Sequence, residues 1–306
     1  KKGVKPRGVL LYGPPGTGKT NTILNTILTA FFNERTVLFT AYNNHPIDGV
    51  VRKLTSLTFQ DRRIPFPVVR LGNSRRVREA LVYMRTLYEE TRQIPVYDKT
   101  LSRNRDSQAQ RMKRLSELLR RYEDKLDLKE RSETIGRLLE YSQSWGRSMQ
   151  MLPFEADLKG RQLERLDRQM EELGEITDTD ALALLEDSGE ELRKYLYYTS
   201  VKYIQKLGTP AYGRLREILY MEDEEGLAAF QDYLGETENL RRFLQVFPVV
   251  ATTCISSHRL GGPENQFDMT VMDEASQCNL AVGLVPVIRG KSLMLVGDPQ
   301  QLNPVI

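Results

Sequence analysis

Three glycines within six residues, Gly13, Gly16 and Gly18, separate an apolar run, Gly8-Val9-Leu10-Leu11-Tyr12, from a stretch over 20–32 whose apolar residues recur at helical spacing. A strand, a tight glycine turn and a helix in direct succession leave few architectures open, and the unit repeats. Residues 36–40 read as a buried strand, 45–57 as a helix and 67–71 as a third strand, so the spacing predicts an α/β fold with a parallel sheet covered by helices. The turn itself, Gly13-Pro14-Pro15-Gly16-Thr17-Gly18-Lys19-Thr20, fits GxxxxGK[ST] in full. Its glycines let backbone N–H groups curl around phosphate oxygens, and the helix N-terminus adds a favourable field. Lys19 is then expected to reach the outer phosphates and Thr20 to offer a hydroxyl to Mg²⁺.

From about 73 to 245 the alternation stops and long, charged, helical periodicity takes over. Met112, Leu115, Leu119, Tyr122 and Leu126 are spaced 3 and 4 apart, and Leu163, Leu166, Met170 and Leu173 continue the rhythm. Two such stripes, separated near Pro153 and Gly160, predict an antiparallel hairpin of coiled-coil character. Further helices are expected over 182–207 and 215–247, with strands over 247–252, 269–272 and 293–296 and a helix over 279–288. The domain reading is therefore an ATP-binding α/β domain over 1–72 and 246–306, interrupted by a large all-α, coiled-coil-like insertion over 73–245.

Charge excludes little in bulk, since 44 Lys+Arg face 41 Asp+Glu among 306 residues. No run approaches the eighteen or so apolar residues of a membrane span, so no membrane partner is expected. Cys254 and Cys278 lack metal-ligand or disulfide-framework spacing and suit a reducing interior, the cytoplasm or, in a eukaryote, the nucleus. His45 and His258, the only histidines, make a hydrolase triad or a His-rich metal centre a poor fit. Tyr195, Tyr197, Tyr198, Tyr203, Trp145 and Cys254 read as packing residues. The arginines Arg75, Arg76, Arg78, Arg103, Arg105, Arg111 and Arg114, with Lys113, read as a solvated helical face.

A phosphate cradle needs a carboxylate on another strand to hold Mg²⁺ and a second to orient water. Val271-Met272-Asp273-Glu274 supplies both, with Asp273 as the metal-side acid and Glu274 as the base. The opening residues, Arg7 to Thr20, also look like the start of a hexameric AAA+ module, but Asp273 follows Lys19 by 254 residues, far more than that type allows. Asp273-Glu274-Ala275-Ser276-Gln277 and Leu295-Val296-Gly297-Asp298-Pro299-Gln300-Gln301-Leu302 resemble motifs II and III of superfamily 1 helicases. Phe39-Thr40-Ala41-Tyr42-Asn43-Asn44-His45-Pro46-Ile47-Asp48 looks like motif Ia, Val68-Val69-Arg70-Leu71-Gly72 like the strand after it, and Val249 to Cys254 like motif Ic. The branch resembled is that of the nonsense-mediated-decay helicase and senataxin, which carries a helical subdomain, 1C, where 73–245 lies.

That resemblance implies a RecA-like P-loop NTPase fold, ATP and Mg²⁺ as cofactors, and hydrolysis coupled to translocation on single-stranded RNA or DNA. It carries catalysis onto Lys19 and Glu274, a γ-phosphate-sensing role onto Gln301, and nucleic-acid contacts onto Thr40, Asn44, Thr252 and Thr253. Short hydroxyl and amide groups suit backbone contacts, although each of these four fits a helix or turn cap equally well. Motifs IV to VI do not occur in the 306 residues, so the chain resembles a first motor domain that awaits a second RecA-like domain, with little turnover expected alone. The alternative is an ATP-switched nucleic-acid or protein-binding module without unwinding activity, the helical insertion being its protein-partner surface.

Overall fold

A computed structural model describes residues 8–14, 16–144, 152–174 and 188–298. Pro15, Trp145 and Gln301 lie outside the described residues, as do 182–187 of an expected helix and 299–302 of motif III. The strands are β1 (Gly8–Tyr12), β2 (Val37–Ala41), β3 (Thr58–Phe59), β4 (Arg62–Arg63), β5 (Val68–Arg70), β6 (Val249–Thr253), β7 (Met269–Asp273) and β8 (Leu293–Gly297). The helices are α1 (Lys19–Phe32), α2 (Asn44–Thr55), α3 (Ser74–Thr91), α4 (Asp98–Ser144), α5 (Pro153–Leu173), α6 (Ser188–Gln205), α7 (Gly213–Leu219), α8 (Asp223–Gly235), α9 (Thr237–Leu244) and α10 (Leu280–Val287). The helix expected over 215–247 is thus three short ones.

Six of the strands form one parallel sheet in the order β1-β8-β7-β2-β6-β5. The near-continuous apolar runs of β2 and β6 explain their central place, since a parallel strand covered on both faces has no side that must stay polar. Alternation then sorts side chains. Val37, Phe39, Val249, Ala251, Val271 and Val296 face one layer with Ile23, Ile27 and Phe31 of α1 and Ile47, Val50 and Leu54 of α2. Leu38, Val69 and Val250 point the other way, onto Val77, Leu81 and Met84 of α3 and Leu215, Phe230, Phe243 and Phe247 of the later helices. Tyr197 of α6 joins the first layer, its ring 5.9 Å from Phe59, and Tyr203 lies 5.2 Å from Phe31, so these tyrosines are core as read. β3 and β4 form a small antiparallel hairpin through Gln60 and Asp61, both at positive φ, a primed turn that no Asn-Gly or Asp-Gly pair announces.

Asp268 ties three strand starts together. It accepts from the Thr36 N–H at 3.0 Å, the Thr36 hydroxyl at 3.1 Å and the Lys291 ammonium at 2.8 Å. Burial opposes its charge, but the donors outweigh burial and hold the carboxyl below its usual range. Asp268→Ala is expected to cost about 1–2 kcal/mol in chemical denaturation at neutral pH, with exposed Lys291 contributing least. A carboxyl depressed in the folded state stabilises above its unfolded pKa and loses that contribution as pH falls through the folded one. The gap between variant and wild type should therefore close in acid.

The chain divides into two units, 98–192 and the remainder. The separable helical unit is shorter than the 73–245 read from periodicity, because α3 and the helices from 193 onward bury their apolar faces in the sheet's own core. Within 98–192, α4 and α5 run antiparallel. Lys125 donates to the Gly174 carbonyl at 3.0 Å, Arg121 to the Leu173 carbonyl, and Ser132 to Asp167 at 3.2 Å. On α5 the stripe is as expected, with Leu163, Leu166, Met170 and Leu173 half-buried. On α4 it needs correction. Leu115 is 9% exposed but Met112 58%, and Leu119 and Leu126 also face solvent. The shielded positions run 108, 111, 115, 118, then 125, 128, 132, 135, 139, so the seam passes through polar residues that a purely apolar reading skips.

Candidate active site

Each glycine of the turn answers a different steric demand. Gly16 and Gly18 both have φ of 84°, which side chains rarely adopt, and a Cβ on Gly13 would come within 2.5 Å of the Thr17 hydroxyl oxygen. That hydroxyl donates to the Pro14 carbonyl at 2.8 Å, and the Lys19 ammonium donates to the carbonyls of Pro14 at 2.9 Å and of Gly13, which centres its charge on the loop. Gly18 is the N-cap of α1 and supplies no capping side chain, and the first turn holds no acid. The helix therefore presents free N–H groups to an incoming anion.

Register brings the other motifs to this turn. Tyr12 of β1 pairs with Gly297 of β8, Met272 of β7 with Leu295 of β8, and Ala41 of β2 with both Asp273 and Thr253. All are at or near carboxyl ends of parallel strands, where open α/β sheets keep their ligand crevice. A cleft of about 550 Å³ opens there, lined by Gly16, Gly18, Lys19, Thr20, Asp273, Glu274 and Asp298, and on its far wall by His45, Gly49 and Lys53. Those last three, spaced four apart on α2, went unnoticed in the sequence; the signal was a helical stripe directly after the motif Ia match.

Glu274 has φ of 50°, a left-handed backbone that costs a non-glycine residue about 1 kcal/mol or more, and its N–H donates to the Asp273 carboxylate at 2.9 Å. The kink makes two adjacent carboxylates diverge. Burial pushes the Asp273 carboxyl up, opposed by the Glu274 N–H and the charge of Lys19. Burial also raises Glu274, the Asp273 charge adds to it, and His45 and a hydrogen bond from the Asn43 side chain pull it back. Asn43 is the N-cap residue of α2 but makes no capping bond, a contact ordinarily worth about 1 kcal/mol.

The four residues considered for nucleic-acid contacts fall into two groups. Thr40 and Thr252 are 0% and 1% exposed, enclosed by neighbouring strands, so neither hydroxyl is open to a passing strand in this conformation. The Thr40 hydroxyl lies 3.5 Å from the Val271 carbonyl, and that of Thr252 has no hydrogen-bond partner among the described residues. Thr253 is half-buried and bonded to the Ser256 hydroxyl at 2.9 Å. Asn44 is exposed, and its side-chain oxygen accepts from Arg70 Nη2 at 2.5 Å, so it caps nothing. Arg75 and Arg76 pair with Glu79, and Arg76 also with Asp48 at 2.5 Å.

A family model described as an AAA domain matches residues 2–306. The chain belongs to that family. Because the match spans 98–192, the helical hairpin is part of the matched domain. The chain is 26% identical over its whole length to an uncharacterized ATP-dependent helicase of Methanocaldococcus jannaschii, MJ0104, and spans 36% of that protein's length. It is also 42% identical over 59 residues, 19% of this chain and 6% of the relative, to the DNA replication ATP-dependent helicase/nuclease DNA2 of Gallus gallus. The Saccharomyces cerevisiae DNA2 is 32% identical over 89 residues, 28% of this chain and 5% of the relative. With these relatives, the family membership sets the chain among the superfamily 1 helicases. Its six-stranded parallel sheet with flanking helices is that of a RecA-like P-loop α/β domain. Among the described residues no helix is long and apolar enough to cross a membrane.

Proposed function

We propose that the chain is the first motor domain of an ATP-dependent helicase, binding Mg²⁺-ATP in the cleft and hydrolysing it to drive movement along single-stranded RNA or DNA. The observation that carries the reading is the meeting of Lys19 and Thr20 with Asp273 and Glu274 around one cleft, although the two pairs are some 250 residues apart in sequence. Lys19 and the N–H groups of the turn hold the phosphates. Glu274 accepts a proton from the attacking water, and Asp273 keeps its own carboxylate aimed away from that water.

The donor set suits Mg²⁺. Asp273 is a buried carboxylate whose charge is only partly offset, and Thr20 lines the same cleft, whereas no cluster of three or more His, Cys, Asp or Glu occurs among the described residues. One carboxylate, one hydroxyl and phosphate oxygens are how Mg²⁺ is ordinarily held, rather than an all-protein cage. The ion would supply charge neutralisation of the phosphates.

The order of motifs further supports kinship with the branch of the nonsense-mediated-decay helicase and senataxin, with 98–192 as the counterpart of its helical subdomain and a surface for a protein partner. Gln301 is the proposed γ-phosphate sensor, and Asn44 and Thr253, being at the surface or half-buried, are the better candidates for strand contacts. Two free thiols, Cys254 and Cys278, suit a reducing compartment. Closure of a second RecA-like domain would bring the arginines that stabilise phosphoryl transfer, worth roughly 10³ to 10⁵ in turnover. Calorimetry of Mg²⁺-ATP binding, followed by turnover with and without a single-stranded oligonucleotide, tests the reading. Binding with slow turnover by this chain is expected, and absence of binding would sink it.

A further inference from the structure

We propose that Asn43 is a positioning residue for Glu274, and that Arg70 clamps the first turn of α2 so that this contact keeps its register. The inference rests on the hydrolytic reading above. Three observations meet here. Because β2 and β7 run parallel with Ala41 beside Asp273, the chain leaves both strands side by side and Tyr42 to Asn44 emerge next to Glu274. Asn43 has the extended backbone of an N-cap residue, φ −100° and ψ 161°, yet its side chain leaves the first-turn N–H groups alone and hydrogen-bonds Glu274 instead. An amide that gives up its local bond for a carboxylate across the cleft is fixed by that carboxylate, and fixes it in turn.

The neighbouring residues hold this arrangement from beneath. Arg70, 9% exposed at the end of β5, donates from Nη2 to the Asn44 side-chain oxygen at 2.5 Å and from Nε to Asp48 at 3.0 Å, one turn further along α2, and also bonds the Leu71 carbonyl. A buried guanidinium with three partners of fixed direction anchors α2 to the sheet more rigidly than a cap would. The groups that face Glu274 are then Asp273 on its own turn and Asn43 and His45 on the other wall, so its carboxylate has one hydrogen-bonding side and one repelling side. That asymmetry selects one orientation of the carboxylate. Since Asn43 and Asn44 are exposed neighbours in the loop where a strand contact is proposed, a shift of this loop would be felt at Glu274 directly.

Asn43→Asp separates this role from capping. Aspartate caps a helix as well as asparagine does, but it cannot donate to a carboxylate and repels it. In the nucleic-acid-stimulated ATPase assay, Asn43→Asp and Asn43→Ala are expected to lower kcat by roughly 10- to 100-fold with KM for ATP within about 2-fold of wild type, and Asn43→Ser, which keeps a donor, to recover part of the loss. A readout without turnover accompanies it. Asn43→Asp should lower Tm by about 3 °C, and most of that loss should disappear in the Glu274→Gln background. Additive Tm changes would mean that the contact does not exist, and an unchanged kcat in Asn43→Asp would mean that it does not position the base; either overturns the proposal. Failure of the functional reading would show differently, as a wild-type protein that neither binds nor hydrolyses Mg²⁺-ATP, and the positioning role would fall with it even if the Tm coupling held.

Discussion

Lys19→Ala is expected to weaken Mg²⁺-ATP binding by about 100-fold or more, measured by calorimetry on the isolated chain. The Lys19 ammonium sits over the turn between Gly13 and Gly18, and its removal deletes charge-assisted hydrogen bonds to phosphate worth roughly 1.5–3 kcal/mol each. The same substitution should leave the thermal transition almost unchanged, because Lys19 touches only carbonyls of its own loop and half of it is open to solvent. A variant that binds ATP as wild type does would remove the phosphate cradle from the argument. A variant that unfolds would instead show that the ammonium is a structural brace.

Glu274→Gln should separate binding from chemistry. Glutamine fits the same left-handed position and still accepts from a neighbouring donor, but it takes no proton from water, so turnover is expected to fall about 10²- to 10⁴-fold with Mg²⁺-ATP binding retained. Stability should move the other way. Burial and Asp273 raise the folded-state carboxyl of Glu274 above its unfolded value, so its contribution to stability is present in acid and is lost as pH rises through the folded pKa. The neutral amide escapes that loss. The variant should therefore be at least as stable as wild type at neutral pH, with an advantage that shrinks toward acid, as thermal melts across that range would register. Normal turnover in Glu274→Gln would transfer the role of base elsewhere.

The hairpin and the threonines show where reading the sequence falls short. On α5 the apolar stripe was legible because leucines and a methionine carry the whole contact. On α4 the shielded side includes Gln108, Lys125 and Ser132, so apolar spacing pointed one position away from the true seam. Thr40 and Thr252 looked like surface hydroxyls at strand ends, yet register sets them opposite each other in the middle of the sheet, where no strand of nucleic acid reaches. The boundary of the helical unit was likewise misjudged, since helical period says nothing about which core a helix packs into.

What the sequence by itself determined is local. The glycine turn, the order of strands and helices, and the pairing of Lys19–Thr20 with Asp273–Glu274 as candidates follow from sterics and chemistry carried within a few residues. Which wall of α2 borders the cleft, that Asn43 turns from its helix to Glu274, and that Arg70 rather than a cap anchors the loop were decided only by the tertiary structure. The reason is register. Ala41 and Asp273 are neighbours because two strands more than 230 residues apart align at one pair of positions, and no local preference encodes that alignment.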